Sequence, residues 1–121
     1  ARQSAQVLND QGLRFYRERE YSKAEARFTE ALKLRPDFAL AANNLGFVFF
    51  KQGKFAEAAR WFDNTIKMDP SRAIAYRNLG DAWHEAGDRA KAEQAYRRYL
   101  ELAPDGPAAG HARERLGLPS R

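Results

Sequence analysis

The chain has no cysteine. That excludes a disulfide framework, a thiolate nucleophile and a sulfur-ligated metal, and it fits a reducing compartment as well as an oxidising one. Histidine is scarce, with only His84 and His111, too few for a metal site unless carboxylates complete the ligand set. No long apolar run exists either. The stretch from Leu45 to Phe50, which includes Gly46, falls far short of the roughly twenty residues of a membrane helix, so no membrane insertion is expected. The chain begins Ala1-Arg2-Gln3-Ser4, without an initiator methionine or a leading apolar segment, which fits a chain processed or excised from something longer. Charge of one sign is not gathered anywhere. The net charge is +5, but bases alternate with acids, as in Arg17-Glu18-Arg19-Glu20 and Arg113-Glu114-Arg115. Phosphate binding wants basic residues on one face, so no nucleic-acid partner is expected. These features do not set the compartment. A cytoplasmic setting is slightly favoured over a periplasmic one, and the abundance of Arg and Ala is compatible with a bacterium of high genomic GC.

What is present is a repeat. At 121 residues, 44% apolar and 31% charged, the chain suits one folded domain with one core or a row of small ones. Pro36, Pro70 and Pro104 are 34 residues apart, a period that points to a stacked array. The same step superposes Gly12, Gly46 and Gly80; Phe15, Phe49 and Trp83; Ala24, Ala58 and Ala92; and Phe28, Phe62 and Tyr96. Leu32, Ile66 and Leu100 align too, as do Leu34, Met68 and Leu102. Within each unit apolar residues recur three, four and seven apart, the pattern of two amphipathic helices. In the second unit these run over about 38–52 and 54–68, with Gly53 supplying the turn between them and Pro70 ending the second. Gly87 repeats the turn in the third unit, whereas Arg19 occupies that place in the first. Asp37, Ser71 and Asp105, each following a repeat proline, are predicted to cap the next helix. Gly46 and Ala58 allow close approach of paired helices, and the aromatic columns fill the space between them. No segment reads convincingly as a strand.

These columns resemble the tetratricopeptide repeat, over roughly residues 5–106. The third unit carries Tyr76, Leu79, Gly80, Trp83, Ala92, Tyr96 and Pro104; the second, Leu45, Gly46, Phe49, Ala58, Phe62 and Pro70, with Thr65 where alanine is usual; the first, Leu8, Gly12, Phe15, Ala24, Phe28, Ala31 and Pro36, with Gln11 where leucine is usual. The resemblance implies an all-α, right-handed solenoid in one domain over 1–121. Its three helix-turn-helix repeats would span about 5–38, 39–72 and 73–106, followed by a capping helix at about 107–117, seven helices in all. It also implies a concave groove lined by the first, or A, helix of each unit, and members that bind peptides, partner proteins or copies of themselves.

Function would then sit on the A-helix faces not claimed by the glycine and aromatic columns. The candidate partner-binding residues are Asn9, Leu13, Leu40, Asn43, Asn44, Phe47, Phe50, Lys51, Ile74, Arg77, Asn78 and Asp81. Asn44 and Asn78 lie one repeat apart, as do Asn9 and Asn43. A carboxamide both donates and accepts, so such amides suit the backbone of an extended ligand, or else bonds to neighbouring helices or water. In the run Phe47-Val48-Phe49-Phe50, Phe47 and Phe50 are in excess of what one buried stripe needs. They read as a contact surface or as packing against a neighbouring A helix. One subclass of the family clamps acidic carboxyl termini of heat-shock chaperones with lysine, asparagine and arginine. The matching positions here are Asn9, Leu13, Asn44, Ile74 and Asn78, of which only Asn44 agrees, so no such clamp is expected, although Arg77 and Lys51 leave some positive charge. His84 with Asp81 and Glu85 is too small a set for a metal, and no nucleophile, base and carboxylate fall in a recognisable order. The chain is therefore expected to be no enzyme and to need no cofactor. The main reading is a peptide-binding scaffold or adaptor; the alternatives are a self-assembling module or an accessory domain of a larger enzyme or secretion component.

Overall fold

The computed structural model describes residues 4–120; positions 1–3 and 121, part of the expected 1–121 domain, lie outside the described residues. Seven helices follow one another among these: α1 (Ala5–Arg17), α2 (Tyr21–Leu34), α3 (Ala39–Lys51), α4 (Phe55–Met68), α5 (Ala73–Ala86), α6 (Arg89–Leu102) and α7 (Ala109–Leu116). They form the expected all-α solenoid, in which α1/α2, α3/α4 and α5/α6 are the paired helices and α7 packs against α6.

Each pair is joined by the same device. Within two residues of the end of the A helix one residue takes a left-handed backbone, Arg19 at φ 61°, Gly53 at φ 77° and Gly87 at φ 87°. The following amide then reaches back to the carbonyl of the aromatic column: Glu20 to Phe15, Lys54 to Phe49 and Asp88 to Trp83, each at 2.9 Å. These bonds satisfy carbonyls that a helix end leaves free. Arg19 adopts this conformation at a steric cost that glycine escapes.

The prolines act through the residue before them. Arg35 and Asp69, extended at φ −140° and −145°, end α2 and α4, because a following proline disfavours helical geometry. The predicted caps differ from what is found. The chain stays in a turn for one residue longer than expected, so the residues at the cap of α3 and α5 are Phe38 and Arg72, with no side-chain cap bond. Asp37 instead lies 3.9 Å from Arg35, and the Ser71 hydroxyl donates to Asp69. Asp105 sits three residues ahead of Ala108, the cap of α7. Side-chain capping occurs elsewhere: Ser4 Oγ accepts from the Val7 amide and Asp88 Oδ1 from that of Lys91, both at 3.1 Å.

The pairs are held by one contact used three times. A Cβ built at Gly12, Gly46 or Gly80 would lie 2.5–2.6 Å from a ring carbon of Phe28, Phe62 or Tyr96. These rings are almost wholly buried. The central core forms around Phe28, Leu45, Val48 and Phe62, with Ala24, Ala58 and Ala82 filling between them. Departures from the repeat are accommodated locally. Thr65 is buried but returns its hydroxyl to the Trp61 carbonyl at 2.9 Å. In the same column Tyr99 replaces alanine, and its hydroxyl accepts from the Ala108 amide at 2.9 Å, placing the start of α7.

Two outcomes are expected. Gly46→Ala gains about 1 kcal/mol of helix propensity, but the rigid Phe62 ring has nowhere to move, so overpacking should leave the protein about 1–2 kcal/mol less stable in urea denaturation. Arg19→Gly relieves the left-handed strain and should raise stability by up to about 1 kcal/mol; an unchanged or lower melting midpoint contradicts it.

Candidate functional site

Residues on the A helices reach the surface in register. Leu40 on α3 and Ile74 on α5, one repeat apart, are 38% and 37% exposed. Lys51 is exposed at the end of α3, while Leu13, Phe47, Phe50, Arg77 and Asp81 are half-buried. The four candidate asparagines, Asn9, Asn43, Asn44 and Asn78, are buried. They bond to one another across the stack: Asn44 Nδ2 donates to Asn9 Oδ1 at 3.0 Å, and Asn78 Nδ2 to Asn43 Oδ1 at 3.2 Å. Each pair ties one A helix to the next, a net gain of about 1 kcal/mol apiece for a satisfied buried bond. Asn9 Nδ2 is buried with no partner among the described residues.

Phe47 and Phe50 each meet a ring of their own repeat. Phe47 meets Phe62 edge to face with ring centroids 5.3 Å apart, and Phe50 meets Phe55 in the same way at 5.1 Å. Both also line a pocket of about 60 Å³, together with Phe62, Arg77, Asn78 and Asp81. A volume of that size holds roughly four water-sized groups, about one branched aliphatic side chain. The structure thus brings α3 and α5 candidates to one place, with Leu40 and Ile74 on the same two helices. Asn9 and Leu13, on α1, do not line the pocket.

Asp81 is the electrostatic centre of this end of the face. Its Oδ1 accepts from the Tyr96 hydroxyl and lies 2.7 Å from His111 Nε2, while Oδ2 lies 3.7 Å from the Arg77 guanidinium. Burial, reinforced by the bond to Asp81, pushes the Tyr96 phenol well above its ordinary range, so it remains a donor at any physiological pH. Two participants, Phe62 and His111, are not legible in the order of the residues. Phe62 belongs to the buried core column, and only the folded chain shows that its ring also lines this pocket. His111 comes from α7, and no periodicity reports how a terminal helix rotates onto the stack.

Such an array of helix pairs, each resting on the last, defines a helical repeat protein. A family model described as Tetratricopeptide repeat matches residues 9–64 and 48–107, and the chain belongs to that family. Among solved structures it is similar to the first TPR domain of Spaghetti (RPAP3), bound to the HSP90 peptide SRMEEVD, with 24% identity over 94% of this chain and 91% of that one and a TM-score of 0.87. The Arabidopsis OM64 TPR domain gives 25% identity, 94% coverage of both chains and a TM-score of 0.87. The Sgt2 TPR domain from Aspergillus fumigatus gives 25%, 91% and 74%, and 0.84. No curated protein matches the chain by sequence. Among the described residues no helix is long and apolar enough to cross a membrane.

Removing the Asp81 carboxylate should loosen α7. Asp81→Ala leaves Tyr96 and His111 without their shared acceptor, at a cost of about 1–3 kcal/mol, and amide exchange across Ala109–Leu116 should quicken more than in α3 or α4. Equal protection in both regions contradicts this role.

Proposed function

We propose that the chain is a protein-interaction module, a scaffold or adaptor, whose A-helix face takes an apolar segment of a peptide or partner protein. The observation that carries this is the pocket between α3 and α5, with aromatic edges in its wall and exposed Leu40 and Ile74 on the same two helices. Apolar surface gathered in a concave place favours a ligand that buries it. In this reading Phe47 and Phe50 receive one aliphatic side chain, Leu13, Leu40 and Ile74 extend the apolar track, and Arg77 and Lys51 meet a carbonyl or carboxylate of the ligand. Asn43, Asn44 and Asn78 position the helices and offer the ligand what hydrogen-bonding capacity they have left, with Asn9 behind them. Asp81, bonded to Tyr96 and His111 and close to Arg77, sets the end of the track.

The bound HSP90 peptide of the Spaghetti domain supports peptide binding as the mode but not that peptide as the ligand. At the positions of a carboxylate clamp, Leu13 and Ile74 are apolar, while Asn9, Asn44 and Asn78 are buried in bonds between helices. None of these five positions is cationic, and the positive charge of the face sits instead at Lys51 and Arg77.

The test is selection of displayed random peptides on the folded domain, followed by affinity measurement with variants. Leu40→Lys with Ile74→Lys alters exposed side chains only and should weaken selected peptides on the order of tenfold or more. Phe47→Ala with Phe50→Ala should abolish binding while costing about 1–3 kcal/mol per ring, so its folding is checked by circular dichroism. The peptide SRMEEVD should show no binding at about 100 µM. Selected peptides that bind both variants as well as the parent defeat the assignment of the face, and tight binding of SRMEEVD defeats the assignment of the ligand.

A further inference from the structure

A second groove lies between α4 and α6, away from the A-helix pocket, and its floor is the strip Tyr76, Leu79 and Trp83 of α5. It measures about 390 Å³. The equivalent strip one repeat earlier, Ala42, Leu45 and Phe49, is 0%, 1% and 7% exposed, whereas all three floor residues here are half-buried. From Tyr76 to Trp83 the floor runs two helical turns, about 10 Å. Small Ala59 and Ala95 stand in its walls.

The rim is cationic. Arg60, Lys91 and Arg98 are exposed around the groove, and Asp63, the one carboxylate among the lining residues, lies 3.3 Å from Lys67. Two of the cations are already poised over the floor: Lys91 Nζ is 4.4 Å from the Trp83 ring centre, and the Arg98 guanidinium 5.9 Å from that of Tyr76. Cation–ring attraction holds these flexible side chains over apolar surface, and a short swing would bring their charge to an incoming anion. Lys91 and Arg98 also pair with Asp88 and Glu101 of their own repeat, at 3.9 and 2.7 Å, but neither carboxylate lines the groove.

We propose that this groove is a second protein-docking surface, which takes a short acidic segment bearing a large apolar side chain. The apolar group lies on Leu79 and Trp83, and its acidic neighbours meet Arg60 on one wall and Lys91 and Arg98 on the other. A nucleic-acid strand fits less well. Base stacking requires an open ring face, and here Lys91 and Arg98 already stand over the Trp83 and Tyr76 rings. The surface is separate from the A-helix pocket, so the domain can hold two partners at once.

Trp83 reports on the site directly. The chain has two tryptophans, and Trp61→Phe leaves Trp83 alone. The probe is a synthetic peptide of about ten residues, alternating Glu pairs with Leu or Phe. It should shift Trp83 emission saturably, and more weakly as salt is added. Arg60→Glu with Lys91→Glu changes exposed side chains only; it should leave circular dichroism unchanged and weaken the peptide on the order of tenfold. Phe47→Ala with Phe50→Ala should leave this affinity unaltered. The proposal is overturned by no saturable shift, by indifference to the charge reversals, by loss of the signal in the Phe47 and Phe50 variant, or by an oligothymidine that displaces the peptide at lower concentration than the peptide itself binds. Of these outcomes only loss of the signal in the Phe47 and Phe50 variant bears on the A-helix face, because it places the acidic peptide there.

Discussion

The contact between a glycine on one helix and an aromatic ring on its partner is the constraint on which the remainder of this structure rests. At Gly12, Gly46 and Gly80 the ring carbons of Phe28, Phe62 and Tyr96 occupy the space a side chain would fill. This sets the spacing within each pair, and the left-handed residue at the turn sets its crossing. Because both recur at a fixed interval, every pair has nearly the same shape. Identical shapes stack by a constant operation, and a solenoid is the result.

Stacking has a functional consequence. Since the B helices take up the glycine-facing side of the A helices, the opposite side of α1, α3 and α5 needs no packing partner in the chain. Residues there differ from repeat to repeat: Phe47 and Phe50 stand where the first unit has Leu13 and Tyr16 and the third Asp81 and His84, Leu40 and Ile74 are exposed, and Asp81 is bound to the terminal helix through His111. The same freedom operates on the other side of α5. Bulky Tyr76 and Trp83 stand where the preceding repeat has Ala42 and Phe49, and a groove remains open in place of a sealed seam.

The asparagines show where reading by position reaches its limit. Their spacing was visible, and a ladder for a ligand backbone or a set of bonds between helices were both compatible with it. In the folded chain Asn44 and Asn78 each reach the asparagine of the preceding A helix. The choice depends on which direction a carboxamide points and how near the next helix lies, and neither is a property of sequence order. The predicted helix caps shifted for a related reason: an oxygen-bearing residue after a proline is a good cap only if the turn ends there, and here it continues one residue further.

From its residues alone the chain determined its helices, their pairing, the period of the stack and the family, because each follows from local steric rules repeated at a regular interval. Glycine at the turn, proline after the B helix and matched small and aromatic columns act within a few residues or within one unit. Only the tertiary structure decided how deep the pocket beside Phe47 is, that the asparagines join neighbouring helices, that His111 meets Asp81, and that a cationic groove stays open over Trp83. Those are contacts between side chains of different units, and they depend on the angle at which one pair settles on the next.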